Sequence, residues 1–534
     1  MNSAQRARSI ATSPWTWAFL VQAVLVLALR SPLEFDIEGR RVHGVADDIY
    51  ITACFARSLA QGAGPVWFPG AEPVEGFSSP VHVLLLGAAH ALPFFREDDL
   101  GLYTTALGLA SLAIAFGLGA SIRARLASRA GRGDATSSSP SRSACVLAAS
   151  LAAAPVAITW WIAEGFEVSL VLVAALAAVR AAVGSMAPLR RGLALGAVAA
   201  VASWIRMDAV LYVLPGFAVL AFDRTQLDAR QAWRAVLAAV GVLAAALAIL
   251  FGARIAIFGE WMPNTYYLKL GGSSLVERVL AGVRMGWVAI PVAVLAGGCG
   301  AVLLVRRSLG IASVAVGSLL LLLPLGVAYS IHNGGDTWPV HLGADRFASI
   351  GLSAAGMAAA IWVLLRPGAL STGRPLVAAV TCLGALCSPV IPTLLEPRRS
   401  YLERLYGGEY VRNEQRWFRL GRALERATPP GTKITLGAAG ALVYASHRGA
   451  IDVHGKCDRE IAHMPVLDPR RTPGHQKAYD DYVFATRDPQ VAVREPPPSA
   501  IDRYVRCVLA GEPVWIVKGA HCVVWTEFDG PCPP

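Results

Sequence analysis

Charge is what this 534-residue chain has least of. Asp, Glu, Lys and Arg make up 16% of it, where a soluble protein carries about 25%. With 55% hydrophobic residues and a mean hydropathy of +0.49, that shortage excludes an ordinary soluble globule. The net charge of +11 is not a nucleic-acid footprint, because much of it sits in short loops between apolar runs; no nucleic-acid partner is expected. Ten histidines are present, yet none stand at zinc-type spacing. A small-residue cleavage site is also missing. The first apolar run ends in Leu29-Arg30-Ser31-Pro32 and reads as a retained anchor, not a secretory signal. Nor is there an internal repeat of the kind that transporters with inverted halves carry.

What is present is a series of apolar runs, many near the ~20 residues that cross a hydrocarbon core. The clear ones are Trp15–Leu29, Leu102–Ile122, Ala144–Ile162, Trp233–Phe258, Trp287–Val305, Gly310–Tyr329, Ser349–Leu365 and Leu376–Leu395. Shorter or interrupted ones are Pro80–Phe95, Val168–Val183 and Leu193–Phe222. The expected fold is therefore a polytopic α-helical membrane protein with about 11–12 transmembrane helices. It occupies residues 1–396, and a soluble α/β domain follows over residues 397–534.

Arg190-Arg191, Arg306-Arg307 and Arg366 mark cytoplasmic turns under the positive-inside rule. Alternation then puts loops 260–282 and 331–346, and everything after Pro397, on the other side. It also requires Leu193–Phe222 to be two short helices meeting near Arg206. One conflict remains: the arginine-rich segment 123–142 reads as cytoplasmic, but counting from an inside N-terminus places it outside. Either Pro80–Phe95 does not fully span, or the charge rule fails once.

The first long loop, residues 31–79, carries seven acids against three basic residues. Within it, Asp47 and Asp48 stand where a helix can start, Ile51, Phe55 and Leu59 recur at four-residue spacing, and Gly62 fits a C-terminal stop. The pattern predicts an amphipathic juxtamembrane helix with its acidic start facing a cavity. An aspartate at a helix start is also explained as a cap, a setting that lowers its pKa, whereas a second adjacent carboxylate opposes that depression. Further polar residues interrupt the apolar runs: Glu164-Gly165-Phe166-Glu167, Arg206-Met207-Asp208, Pro263-Asn264-Thr265-Tyr266-Tyr267-Leu268-Lys269, Gly334-Gly335-Asp336 and Asp345-Arg346-Phe347. Ionisable groups at membrane depth are a functional hypothesis by default, although snorkelling to the interface explains any one of them.

The order of these motifs resembles the GT-C superfamily of polyprenyl-phosphate-dependent glycosyltransferases. It is most similar to the branch containing the mycobacterial terminal β-arabinofuranosyltransferases. The resemblance rests on Asp47-Asp48, Gly62, Pro69-Gly70, Glu75-Gly76-Phe77, Gly165-Phe166-Glu167 and Arg206-Met207-Asp208. It continues through the loop at 263–269, Gly334-Gly335-Asp336 with Arg346-Phe347, Ile451-Asp452-Val453-His454-Gly455 and Gly474-His475-Gln476-Lys477. It departs at Ile49, Cys54 and Phe77-Ser78-Ser79, and in extra residues over Trp338–Asp345.

The resemblance implies inverting transfer of a sugar, arabinofuranose in that branch, from a polyprenyl-phosphate donor to a cell-envelope glycan. The reaction would take place on the extracytoplasmic side of a bacterial plasma membrane. Asp47 would be the base, with Asp48 orienting the acceptor or holding a cation; the reversed assignment is an alternative. Arg206, Lys269 and Arg346 would meet the donor phosphate, with Tyr266, Tyr267 and Asp336 in the donor site. Glu75, Glu167, Asp208 and His475 are further candidates. No cofactor is required, and a divalent ion between a carboxylate and the phosphate is compatible with the set, though no ligand cluster demands one. The competing class is a lipid or sugar transporter.

In the tail, Lys433–Leu436, Ala450–Val453, Val514–Val517 and Cys522–Thr526 read as strands, the last two joined by a turn at Lys518-Gly519-Ala520. Cys457, Cys507, Cys522 and Cys532 allow up to two disulfides in three pairings, or a set of unpaired thiols.

Overall fold

A computed structural model describes residues 13–129, 140–287, 289–305, 310–336, 345–365, 409–469, 471, 473–520, 523–530 and 532. The expected span Leu376–Leu395, the arginines at 306–307 and 366, and Cys522 lie outside these. The chain is a multi-pass helical membrane protein with a sheet-bearing C-terminal part. Among the described residues, five helices are long and apolar enough to cross a membrane, or up to seven if each of two bent pairs is one span. Val168–Ala182 and Ala209–Phe222 are shorter apolar helices.

The chain divides into two compact units. The first comprises Met1–Ser31, Thr105–Leu250 and Val279–Leu405, the second Pro32–Thr104, Phe251–Arg278 and Tyr406–Pro534. In the first unit, the run over 142–163 breaks at Pro155 and bends by 51°. Gln22, buried in helix Pro14–Arg30, turns its side-chain amide toward the carbonyls of Ala152 and Ala153 beside the break, 3.4 and 3.3 Å away. This supplies donors for carbonyls that a broken helix leaves open. As required by alternation, Leu193–Phe222 is interrupted: helix Pro188–Ile205 ends where Arg206 turns to an extended conformation, and short helices Ala209–Tyr212 and Leu214–Phe222 follow.

The topology conflict has a structural answer. Helix Pro80–His90 has only 11 residues, about 16 Å of rise against a core of about 30 Å, so it does not span. At one end of the first unit, fully buried Asp223 accepts hydrogen bonds from Arg129 Nη1 and Arg191 Nη2, both at 2.6 Å. Arg129 also donates to the carbonyl of Gly184, at 2.9 Å. The end of helix Leu100–Arg129 therefore lies at the same end of the bundle as Arg190-Arg191, where the charge rule puts it.

Small residues let these helices approach closely. A Cβ on Gly192 would lie 2.1 Å from the carbonyl oxygen of Ala235, and one on Gly196 would lie 2.9 Å from that of Ala239. Glycines four apart thus face alanines four apart, the spacing that brings membrane helices into backbone contact.

The second unit holds an antiparallel hairpin, β1 (Glu34–Ile37) with β2 (Arg40–His43), and a five-stranded sheet. Its strands are β3 (Lys433–Leu436), β4 (Gly449–Asp452), β5 (Val491–Ala492), β6 (Tyr504–Leu509) and β7 (Glu512–Val517), in the order β4-β3-β5-β7-β6. β3 pairs in parallel with β4 and β5, while β7 pairs antiparallel with β5 and β6. The partner of β7 is therefore Tyr504–Leu509, and Trp525–Glu527 forms a short helical turn where a strand was expected. The hairpin turns at Ala510-Gly511, both with positive φ (51° and 76°), the backbone that matches strand twist in a two-residue loop. Cys507 is bonded to Cys532, 25 residues on, and Cys457 is a free thiol.

Gly192→Leu should cost about 1–3 kcal/mol through overpacking, read as a lowered melting temperature in detergent. Gly241→Leu, at a site with open space around it, should leave the melt nearly unchanged.

Candidate active site

The acid pair begins a helix in the second unit. Ala46, extended at φ −61° and ψ 150°, is the cap residue, so Asp47 and Asp48 occupy the first turn of helix Asp47–Ala60 without capping it. Carboxylates there complement the positive helix end. Gly62, at φ +78°, follows as the expected stop. The helix is not a surface helix with one open face, however: Ile49 through Ser58 are all buried. Helices Pro80–His90 and Ala441–Ser446 pack on it, and the Tyr50 ring meets Phe418 and Tyr444 with centroids 5.6 and 5.3 Å away.

Asp47 Oδ1 accepts the backbone N–H groups of Ala441 (2.8 Å) and Gly440 (3.2 Å). Among the described residues nothing hydrogen-bonds its other oxygen. Gly440 is required there, since a Cβ would fall 1.9 Å from the carbonyl oxygen of Asp47. Burial raises the Asp47 carboxyl to about 6, against the pull of Lys456 and the two amides. Asp48 is less enclosed, and its Oδ1 accepts from Lys456 Nζ at 3.0 Å. Burial disfavours the Lys456 ammonium, but Asp48 and Asp47 outweigh it and hold it charged. The charged and imidazole neighbours of His475 are Lys456, His454, Asp48 and Lys269; burial first, then Lys456, lower it to about 3, so the ring is neutral.

The other motifs of this unit converge on the same segments. Glu75 forms a buried two-point pair with Arg254, at 2.7 and 3.0 Å. A Cβ on Gly76 would meet Cys457 Sγ at 2.7 Å. Asn264 donates its side-chain amide to the carbonyls of Gly455, Lys456 and Asp458, at 2.7, 3.2 and 3.1 Å, and its own N–H to the carbonyl of Glu75, at 2.9 Å. Lys269 sits on helix Asn264–Leu270, and a Cβ on Gly474 would come 3.8 Å from its Cε. Buried Lys477 donates to the carbonyls of Tyr267 and Ala462. Tyr267 stacks on His463 at 4.3 Å, and Tyr266 is exposed. Sequence reasoning assigned no role to Lys456 or Arg254. The signal for Lys456 was its place next to Asp452-Val453-His454-Gly455; Arg254 had none beyond being a cation in an apolar run.

In the first unit, the remaining candidates form two sets of paired charges. Arg206 donates to both oxygens of Asp208, each at 2.9 Å, and to Glu167 Oε1, also at 2.9 Å. Arg346 donates to both oxygens of Asp336, each at 2.7 Å, and lies 4.8 Å from the Phe166 ring centroid. The Arg206 guanidinium lies 5.5 Å from the Phe347 ring centroid. The motifs at 164–167, 206–208, 336 and 345–347 thus meet one another. Both arginines, expected as phosphate ligands, already carry carboxylates. Among the described residues no group of three or more His, Cys, Asp or Glu is placed to hold a metal ion.

Residues 405–529 match a family model described as a domain of unknown function (DUF8728). No curated protein matches the chain. Two solved structures are similar at low identity. One is ArnT from Cupriavidus metallidurans in the apo state, 13% identical, covering 93% of this chain and 97% of that one, with a TM-score of 0.48. The other is the archaeal oligosaccharyltransferase AglB from Archaeoglobus fulgidus, in complex with an inhibitory peptide and a dolichol-phosphate. It is 11% identical, covering 95% of this chain and 74% of that one, with a TM-score of 0.46.

The raised Asp47 pKa has a stability consequence. A group whose pKa is higher in the folded state gives stability that is present below its unfolded pKa and lost as pH rises through its folded one. That window runs here from 3.8 to about 6. Asp47→Asn, which keeps an oxygen for the two amides, should therefore raise the melting temperature at pH 7.5 and change it little at pH 4.

Proposed function

We propose that this chain is a membrane glycosyltransferase of the GT-C kind, moving a sugar from a polyprenyl-phosphate donor to a hydroxyl of a cell-envelope glycan. The particular reaction we assign is inverting arabinofuranosyl transfer at the extracytoplasmic face of a bacterial plasma membrane. The observation that carries this reading is the Asp47 carboxylate, with one oxygen anchored on two amides, the other left without a hydrogen bond among the described residues, and a pKa near 6. A base so poised is mostly ionised at neutral pH and still able to accept a proton.

In the proposed reaction Asp47 takes the acceptor hydroxyl proton as that oxygen attacks the anomeric carbon. The bond from that carbon to the phosphate oxygen breaks, and polyprenyl phosphate departs with the electron pair. Asp48, held by Lys456, orients the acceptor. Lys269 is the cation of this unit assigned to the departing phosphate, where fixed positive charge stabilises the transition state. Arg206 and Arg346 keep that assignment only if a phosphate displaces the carboxylates they now hold.

Incubating the protein with synthetic polyprenyl-phosphoryl-arabinose and an oligoarabinoside should give transfer. Asp47→Asn should lower kcat/KM roughly 100- to 10,000-fold. Transfer only from a mannosyl or glucosyl donor would retain the mechanism and discard arabinose. Full activity in both Asp47→Asn and Asp48→Asn would remove the base assignment, and no transfer from any donor would return the transporter class to the front. The acid limb of kcat/KM should fall near pH 6. Lys456→Met, by removing a cation that favours the carboxylate, should move that limb toward higher pH.

A further inference from the structure

The C-terminal sheet has a topological switch point that the acid pair does not occupy. Strands β4, β3 and β5 run parallel. The chain leaves β3 toward β4 on one side and returns to β5 on the other. The carboxyl ends of β3 and β5 therefore form a switch point, the place where open parallel sheets bind ligands. Gly437 follows β3, Arg494 follows β5, and His454 follows β4. A Cβ on Gly437 would lie 2.8 Å from Arg494 Nη1 and 3.2 Å from His454 Nε2, so both atoms face the space that glycine leaves.

His454 is only 7% exposed. Its backbone N–H donates to Asp452 Oδ1 at 2.9 Å, and its Nδ1 lies 3.0 Å from the carbonyl oxygen of Lys477. A carbonyl can only accept, so Nδ1 carries the proton and Nε2 presents a lone pair. Burial keeps the ring neutral. Among the described residues nothing bonds Nε2. The His475 ring stands edge-on, 5.2 Å away at 70°. The nearby cations are already matched: Lys456 by Asp48 at 3.0 Å, and Arg494 by both oxygens of Asp480 at 3.1 Å. A neutral acceptor beside cations that are already paired suits a hydroxyl better than a phosphate.

We infer that His454 Nε2 accepts a hydrogen bond from a hydroxyl of the carbohydrate acceptor, making the carboxyl ends of β3 and β5 an acceptor subsite. The inference rests on the glycosyltransferase reading. It also places the subsite on the turn that anchors the base, because the amides of Gly440 and Ala441 that hold Asp47 come directly after Gly437-Ala438-Ala439.

The test compares His454→Asn with His454→Gln in the full-length protein, with an oligoarabinoside as acceptor. Asn keeps a donor near the Nδ1 position but has no atom at Nε2, whereas Gln sets its amide near Nε2 and gives up the bond to Lys477. The Asn variant should raise acceptor KM about tenfold with donor KM nearly constant, and Gln should lie closer to wild type. Gly437→Ala, whose Cβ would push Arg494 Nη1 aside and crowd His454 Nε2 while leaving the Nδ1 bond to Lys477, should also raise acceptor KM. A purely structural His454 predicts the reverse order, with Asn tolerated, and that result overturns the subsite. So does a rise in donor KM with acceptor KM unchanged. If the wild type transfers no sugar from any donor, the enzyme reading fails separately, and equilibrium binding of a fluorescent oligoarabinoside decides. Binding that weakens about tenfold in His454→Asn keeps the subsite; equal binding, or none in the wild type, removes it.

Discussion

The second unit depends on one contact: the Asp47 carboxylate on the amides of Gly440 and Ala441. A buried carboxylate without donors is costly, and here the donors come from a turn 393 and 394 residues further along the chain. The bond is possible because Gly440 has no side chain at the closest approach. A second tie acts at the far end of the same helix. Arg57 Nη1 donates to the carbonyl of Tyr444 at 2.7 Å and to Glu97 at 3.1 Å. Glu97 in turn lies 3.0 Å from His447 Nε2, on the turn that follows Ala441–Ser446. The helix that carries the acid pair is thus pinned to helix Ala441–Ser446 at both ends. A carboxylate so fixed has little freedom to relax when a proton arrives, which is what a positioned base requires.

The polar groups of the first unit are arranged on a different principle. Arg206 with Glu167 and Asp208, Arg346 with Asp336, and Asp223 with Arg129 and Arg191 are sets of opposite charges held in contact. A buried ion pair adds little stability over an apolar replacement, but losing one partner strands a charge. Their effect is therefore specific. Each set joins the ends of helices that the apolar pattern alone would let slide, and together they hold the bundle ends in register while glycine and alanine faces bring the backbones together.

Much of this was legible in the residues. Low charge and block hydropathy define a membrane chain, because the bilayer tests length and polarity, both local properties. The break at Arg206, the start and stop of the helix from Asp47 to Gly62, and strands β3 and β4 also follow from local rules. The expectations that gave way depended on what lies opposite. Pro80–Phe95 is apolar without spanning: its helix is too short and packs one face on the Asp47 helix, while Leu84, Leu85, Leu92 and Phe94 stay exposed. The true partner of β7 was hidden because its turn, Ala510-Gly511, needs positive φ at a residue that does not advertise it.

The sequence by itself determined the membrane class, the positions of most helices and the inventory of polar residues, because hydropathy, helix punctuation and side-chain chemistry are carried by each short segment. Only the tertiary structure decided which carboxylate meets which donor. Arg254 lies 179 residues from Glu75, Lys456 lies 408 from Asp48, and the amides that hold Asp47 lie 393 and 394 residues away. Hydrogen bonds and pKa values depend on distances of a few ångströms, and those distances exist only after the chain has closed loops that no local pattern encodes.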